Sequence, residues 1–204
     1  MKLKRLLACM LLSIAMVFLV ACGNTSATSS TSKADGKPVA SSESKGAGKT
    51  MVVYYSATGT TKAVAQKIAA ASGGQLYEIV PAQPYTKEDL NWHDKTSRST
   101  IEMNDKASRP AIAGENLSLE GVTTMYIGYP IWWGEAPRIL NTFVEKYNFS
   151  GIKVIPFATS GGSSIGKSAT NLQQLAGTGE WKEGTLLRSS VSDSEIKAWM
   201  DKMK

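Results

Sequence analysis

Three short loops hold the residues whose types and spacing are best suited to binding a ligand. The first loop, residues 56–61, reads Ser-Ala-Thr-Gly-Thr-Thr and lies between a predicted strand and a predicted helix. Backbone N–H groups at the start of a helix attract anions, and a glycine lets a ligand approach the backbone closely. The hydroxyl-bearing residues and the glycine are Ser56, Thr58, Gly59, Thr60 and Thr61. A helix cap alone would explain one or two of them, so the pattern favours a phosphate-binding loop.

The second loop, residues 129–134, reads Tyr-Pro-Ile-Trp-Trp-Gly and directly follows another predicted strand. Pro130 and Gly134 indicate an irregular backbone. The flat rings of Trp132 and Trp133 are suited to stacking on a planar heteroaromatic ligand. The alternative is that both rings only cover the hydrophobic core. Their position after a strand end favours the ligand.

The third loop, residues 159–162, reads Thr-Ser-Gly-Gly and also follows a predicted strand. Residues 161–168 match the phosphate-binding pattern of nucleotide triphosphatases, Gly-x-x-x-x-Gly-Lys-Ser. Only 36 residues follow this match, and none of the remaining predicted strands ends in an aspartate that could hold magnesium. The sequence therefore disfavours a nucleotide triphosphatase.

Predicted strands and helices alternate along the chain and would position these loops. The strands are predicted at 51–55, 75–80, 122–128, 153–158 and, more weakly, 185–187. The helices are predicted at 62–71, 86–108, 136–147 and 165–175, and after a capping box that begins at Ser192. The segment 86–108 is polar and is predicted to be a surface helix that carries the only histidine, His93, in solvent. The alternation indicates a parallel sheet that is covered on both faces.

The three loops, in this order, resemble those of the flavodoxins, and the resemblance extends over roughly residues 51–204. It implies an α/β fold with a doubly wound, five-stranded parallel sheet of order 2-1-3-4-5 and helices on both faces. It also implies FMN as the cofactor. In that strand order the first and third strands are neighbours, so the first two loops flank one crevice and the third loop lies beside it.

The resemblance further implies three sets of FMN contacts. The phosphate would be held by Ser56, Thr58, Gly59, Thr60 and Thr61. The isoalloxazine would be lined by Pro130, Ile131, Trp132, Trp133 and Gly134, with Trp132 as the stacking ring. Backbone contacts on the other side would come from Thr159, Ser160, Gly161 and Gly162. No catalytic acid, base or metal ligand is expected, because the flavin performs the electron chemistry.

The first 21 residues have the features of a secretory signal. Three basic residues precede an uncharged apolar run, 6–21, which is shorter than the roughly 20 residues of a membrane span. The run ends in Leu-Val-Ala followed by Cys22, which resembles the bacterial lipobox and implies cleavage before a lipidated Cys22. The alternative is an ordinary signal peptide with an incidental cysteine. Lipidation would place the protein on the outer face of the cell membrane.

Residues 22–50 would link this anchor to a folded domain at 51–204. Ser, Thr, Gly, Ala and Lys dominate the segment, and Val39 is its only large aliphatic residue. Such a composition cannot bury enough apolar area to offset the entropy of ordering, so a flexible tether is predicted. A chain of this length and kind has a typical reach of roughly 30 Å.

The net charge of +6 belongs mostly to the targeting segments. Residues 1–21 contribute +3, residues 22–50 contribute +2, and the predicted domain contributes only +1. The basic composition is therefore no indication of nucleic-acid binding. Two cysteines and one histidine are too few for a structural zinc site or an iron–sulfur cluster. The nearly neutral domain differs from flavodoxins, which are typically acidic.

The sequence leaves three functions open. The leading hypothesis is a lipid-anchored, extracytoplasmic FMN flavodoxin that carries electrons between redox partner proteins. The second is a flavodoxin-like NAD(P)H:quinone oxidoreductase. It is motivated by the missing acidic charge and by the segment 81–121, which carries no recognisable motif. The third is a lipoprotein that retains the fold only as a non-redox binding module.

Overall fold

The computed structural model describes residues 48–203. The predicted signal segment, Cys22 and all but the last three residues of the predicted tether lie outside the described residues. No helix within 48–203 is long and apolar enough to cross a membrane.

Residues 48–203 form six strands and five helices, which alternate as predicted except that the last two strands follow each other directly. In chain order they are β1 (Lys49–Tyr54), α1 (Thr60–Ser72), β2 (Gln75–Glu78), α2 (Arg98–Asn104), β3 (Val122–Pro130), α3 (Arg138–Lys146), β4 (Lys153–Thr159), α4 (Ser168–Ala176), β5 (Glu180–Trp181), β6 (Thr185–Leu186) and α5 (Asp193–Lys202). The first strand starts at Lys49 rather than at Met51, because the Lys49 amide already donates to the carbonyl of Gly121 at 2.8 Å. The last helix begins with the predicted capping box between Ser192 and Glu195.

The strands form one parallel sheet in the order β2-β1-β3-β4-β5, with β6 also paired to β4. This order is the predicted one. The predicted strand at 185–187 is observed as β6, and an additional two-residue strand, β5, precedes it; both are parallel to β4. Gly184 lies between β5 and β6, and a Cβ atom at this position would lie only 2.7 Å from the side chain of Ala169. A continuous strand with a larger residue would collide with α4 at this point.

Side chains alternate between two cores on opposite faces of the sheet. On β1, Val53 packs into the core that contains α3 and α4, and Val52 packs into the core that contains α1 and α5. Both side chains are fully buried. This arrangement confirms the prediction of helices on both faces and leaves the carboxyl ends of the strands free to carry the loops.

The predicted surface helix at 86–108 is wrong over more than half of its length, since only α2 is helical. Residues 86–97 form turns in which side chains bond to the backbone in place of helical carbonyls. The Thr86 amide donates to a carboxylate oxygen of Asp89, and the Thr96 amide donates to Asp94. Short polar side chains compete with helical hydrogen bonds in this way. His93 is exposed as expected, but it lies in these turns and not on a helix.

Candidate ligand-binding site

The loops that follow β1, β3 and β4 meet around one cavity of about 610 Å³. Its wall is formed by Ser56, Ala57, Thr58, Thr61, Leu90, Trp92, Ser99, Pro130, Ile131, Trp132, Trp133, Ser160, Gly161, Gly162 and Ser163. None of these side chains carries a charge. A ligand in this cavity would therefore contact hydroxyl groups, backbone amides and aromatic or aliphatic surface.

The first loop connects β1 to the start of α1. Gly59 is the N-cap of α1 with a φ of +87°, and no side chain caps the helix. The first amides of α1 are thus without a side-chain acceptor, as in anion-binding helix starts. Thr58, Gly59 and Thr60 are exposed, whereas Thr61 is buried and its hydroxyl lies 2.8 Å from that of Thr159. This buried bond joins the first loop to the end of β4.

The second loop contains a tight turn that carries two tryptophans. The Trp132 amide donates to the Glu135 carbonyl, and the Glu135 amide donates to the Trp132 carbonyl, each at 2.9 Å. The two central residues, Trp133 and Gly134, have φ values of +47° and +77°. A positive φ strains any residue other than glycine. The turn therefore holds Trp133, which is 45% exposed, in a strained conformation at the edge of the cavity.

The Trp132 ring is fixed by two tyrosines. Its centroid lies 5.7 Å from that of Tyr55 and 5.5 Å from that of Tyr85, and both pairs are nearly perpendicular. The guanidinium of Arg98 lies 4.0 Å above the Tyr85 ring, and the Tyr85 hydroxyl bonds to the carboxylate of Glu102. Burial raises the pKa of Tyr55 and of Tyr85 above the ordinary value for tyrosine. Both phenols are therefore neutral, and the two tyrosine rings orient Trp132.

The third loop leaves β4 through a turn that is organised by one hydroxyl. The oxygen of Ser160 accepts hydrogen bonds from the amides of Gly162 and Ser163, at 3.1 and 2.7 Å. A Cβ atom on Gly161 or on Gly162 would have no neighbour within 4 Å, so their backbone is open to the cavity. Thr159 itself is buried at the end of β4, where its carbonyl accepts from the amide of Ile131.

The segment 161–168, which matches the nucleotide triphosphatase motif, does not form the magnesium-binding site of those proteins. Ser168, which would be the magnesium ligand, is buried at the start of α4. Its hydroxyl donates to the Ile165 carbonyl at 2.7 Å and lies 3.0 Å from the hydroxyl of Tyr129. Because this hydroxyl is already used to hold the loop, the structure agrees with the sequence argument against this class of protein.

Ten of the fourteen predicted site residues line the cavity. They are Ser56, Thr58, Thr61, Pro130, Ile131, Trp132, Trp133, Ser160, Gly161 and Gly162. The other four, Gly59, Thr60, Gly134 and Thr159, are adjacent in the loops but do not line it. Gly59 and Gly134 instead provide the left-handed conformations that shape the first two loops.

Sequence reasoning missed five residues of the wall: Ala57, Leu90, Trp92, Ser99 and Ser163. Leu90, Trp92 and Ser99 come from the segment that was predicted to be a surface helix. Trp92 is 66% exposed, and its ring centroid lies 3.4 Å from that of His93. Trp92 was the one residue of this segment that could have indicated the cavity from the sequence, because an exposed aromatic ring among short polar residues often marks a binding surface.

Comparisons with known proteins agree with this fold. A family model described as flavodoxin matches residues 49–203. A solved structure of a proposed flavoprotein from Bacteroides eggerthii is 52% identical, with 76% of this chain and 98% of that chain covered and a TM-score of 0.72. A proposed flavoprotein from Bacteroides uniformis is 51% identical, with 77% and 99% covered and a TM-score of 0.73.

A more distant solved structure, the flavoprotein from Lactobacillus acidophilus in complex with FMN, is 24% identical. It covers 76% of this chain and 99% of that chain, with a TM-score of 0.57. Comparison with the curated proteins found no match.

Proposed function

Because the chain belongs to the flavodoxin family, we propose that it binds FMN in the cavity at the carboxyl ends of β1, β3 and β4 and transfers electrons through it. FMN is also the flavin named for its structural relative from Lactobacillus acidophilus. The observation that carries the proposal is the meeting of the three loops around one uncharged cavity, beside the neighbouring strands β1 and β3. In doubly wound sheets, ligands bind where the strand order reverses, outside the carboxyl ends of the strands.

The residues present fit a flavin. A volume of about 610 Å³ lies in the usual range for small-molecule sites. The open backbone at Gly161 and Gly162 would admit a flat ring edge, and the hydroxyl of Ser99 is a buried polar group of the wall with no protein partner. The wall thus combines planar apolar surface with unused polar groups, which are the two features that a flavin needs.

The first loop would hold the phosphate without a cation. Ser56 and Thr58 supply hydroxyl donors, and the uncapped start of α1 supplies backbone amides and a favourable dipole. Lys62 is not available for this task in the structure, because its ammonium pairs with Glu78 at 2.9 Å. Thr61 would act indirectly, since its hydroxyl holds the first loop against the end of β4.

The second loop would bind the ring system. Trp132 is already oriented by Tyr55 and Tyr85, so little entropy would be lost when a planar ligand stacks on it. Trp92 and Trp133 are the more exposed rings of the wall and would cover the ligand from the solvent side. The bound flavin supplies the one- and two-electron chemistry. The protein residues bind it, orient it and limit its contact with water.

The first experiment measures FMN binding by the purified domain, residues 48–204. We expect a yellow protein, or stoichiometric quenching of FMN fluorescence when FMN is added to the colourless protein. Riboflavin, which lacks the phosphate, is the matched control. It should bind at least about tenfold more weakly, because each hydrogen bond to a charged group contributes about 1.5–3 kcal/mol. A colourless domain that binds neither compound would eliminate every flavin-based function and leave the non-redox binding module.

A second candidate function is direct reduction of a quinone with NAD(P)H as the donor. The absence of charge in the cavity wall and the two exposed tryptophan rings, Trp92 and Trp133, favour an uncharged planar acceptor. The assay is steady-state oxidation of NAD(P)H by the FMN-loaded domain with and without a soluble quinone. Turnover that depends on the quinone supports this function. Flavin reduction without turnover supports the electron carrier.

We also propose that the domain is held at the outer face of the cell membrane by a lipid on Cys22. Support comes from the sequence of residues 1–50 alone, which lies almost entirely outside the described residues. Membrane fractionation of the full chain tests this location. The wild-type protein should sediment with membranes and incorporate labelled fatty acid, and Cys22→Ser should incorporate none, whereas equal labelling of both proteins or release of the wild type would contradict the anchor.

A further inference from the structure

Among residues 48–203, three buried side-chain atoms have no hydrogen-bond partner: the hydroxyl of Tyr55, the hydroxyl of Ser99 and Nε of Arg138. Only Ser99 belongs to the wall of the cavity at the carboxyl ends of β1, β3 and β4. Ser99 is only 1% exposed, so its hydroxyl is also shielded from bulk water. A buried polar group in this state calls for a physical explanation, because nearly all such groups in folded proteins are paired.

The backbone around Ser99 is firmly held. Its amide donates to the Asp89 carbonyl at 3.0 Å, and the hydroxyl of its neighbour Thr100 donates to the Asp94 carbonyl at 2.8 Å. On the other side, Arg98 pairs with Glu102 at 2.7 Å. The side chains of Arg98 and Thr100, on either side of Ser99 in the sequence, thus have partners within the protein, whereas the Ser99 hydroxyl has none.

Ser99 and Trp132 belong to the same cavity wall, and Arg98, which precedes Ser99, contacts the aromatic cluster around Trp132. Arg98 lies over the ring of Tyr85, and Tyr85 packs against Trp132. A serine hydroxyl rotates among three staggered positions and can both donate and accept a hydrogen bond. Ser99 can therefore adapt to a nitrogen or an oxygen of a ligand that enters beside Trp132.

We infer that Ser99 is a flavin-binding residue whose hydroxyl hydrogen-bonds a polar atom of the isoalloxazine. This inference rests on the proposed FMN site and adds a contact from α2, a segment without a recognisable motif. The unpartnered hydroxyl weakens the ligand-free fold, since an unsatisfied buried group is destabilising. It becomes satisfied only when the ligand is bound.

The test compares Ser99→Ala with wild type in two measurements on the domain, residues 48–204. FMN affinity should fall about three- to tenfold, the range expected for one hydrogen bond. Affinity for lumiflavin, which has the ring but neither ribityl chain nor phosphate, should fall by a similar factor. The melting temperature of the ligand-free protein should stay equal or rise, because the substitution removes a group that has no partner. Ser118→Ala, an exposed serine outside the cavity wall, is the matched control and should change neither quantity.

Each alternative outcome has a distinct meaning. If wild type binds FMN and Ser99→Ala binds FMN and lumiflavin equally well, the inference is wrong and the proposed function stands. If Ser99→Ala fails to fold or melts at a clearly lower temperature, the hydroxyl has a structural role and the inference is also wrong. If wild type binds no flavin, the proposed function and the inference fail together.

Discussion

Removal of the Trp132 ring should weaken both the fold and FMN binding, and the two losses can be separated. The ring makes two perpendicular aromatic contacts, with Tyr55 and Tyr85. Each such pair contributes about 0.5–1.5 kcal/mol beyond area burial. A fully buried tryptophan replaced by alanine costs about 3–5 kcal/mol, and Trp132 is only partly buried. We therefore expect Trp132→Ala to lower the free energy of unfolding of the ligand-free domain by about 2–4 kcal/mol.

The effect on FMN should be a further loss of about 1–3 kcal/mol, the value for stacking a planar base on an aromatic ring. This corresponds to a dissociation constant about 5- to 150-fold higher. Urea denaturation of the ligand-free protein measures the first loss, and FMN fluorescence titration under conditions where the variant is folded measures the second.

Trp133→Ala is the matched variant, because its ring also lines the cavity but is 45% exposed. It should lower the unfolding free energy by less than Trp132→Ala does. If Trp133→Ala loses the greater FMN affinity and Trp132→Ala loses only stability, the stacking ring is Trp133 and the assignment of Trp132 is refuted.

Three further predictions concern stability. Thr61→Val leaves the buried Thr159 hydroxyl without its partner and should lower the unfolding free energy by about 1–3 kcal/mol. The double variant with valine at positions 61 and 159 should recover much of this loss. If urea denaturation shows that the losses of the two single variants simply add in the double variant, the hydrogen bond between the two hydroxyls is contradicted. Since Trp133 has a φ of +47°, Trp133→Gly should be more stable than Trp133→Ala by about 1 kcal/mol in the same assay, and the reverse order would disprove the strain. Burial raises the pKa of Tyr129 to about 12 from 10.0, so the folded protein keeps this proton more tightly than the unfolded chain. The contribution of the protonated Tyr129 to the free energy of unfolding is complete below about pH 10. It declines by up to about 1.4 kcal/mol per pH unit as the pH rises toward the pKa of the folded state. The free energy of unfolding of Tyr129→Phe should therefore fall less steeply than that of wild type between about pH 9 and 11. An equal slope for the two proteins would argue against a contribution from the Tyr129 proton.

Local patterns in the sequence predicted the strands and the loops, and the resemblance to the flavodoxins implied the strand order and most of the cavity wall. A buried strand, a small-residue loop and an amphipathic helix each have a recognisable period or composition. Once the strand order is known, residues such as Ser56, Trp132 and Gly161 must lie at the same end of the sheet. The strand β5 was not predictable in this way, since its two residues are too few to show a strand pattern.

The wall residues Trp92 and Ser99 escaped prediction for a different physical reason. The composition of their segment is compatible with a helix. Side chains such as Asp94, however, accept hydrogen bonds from backbone amides and thereby favour turns. The helix that follows these turns, α2, is held by contacts with other segments. The buried Arg138 of α3 donates to the carbonyl of Met103, and Arg98 donates to the carbonyl of Gln83.

These contacts join α2 to the rest of the fold, and the position of Ser99 follows from them rather than from its neighbours in sequence. A residue placed by tertiary contacts carries no local signal. Its unpartnered hydroxyl is identified only when the hydrogen bonds of the folded chain are assigned. The family motifs do not include Ser99, so only the hydrogen bonds of the folded chain identify it as a candidate site residue.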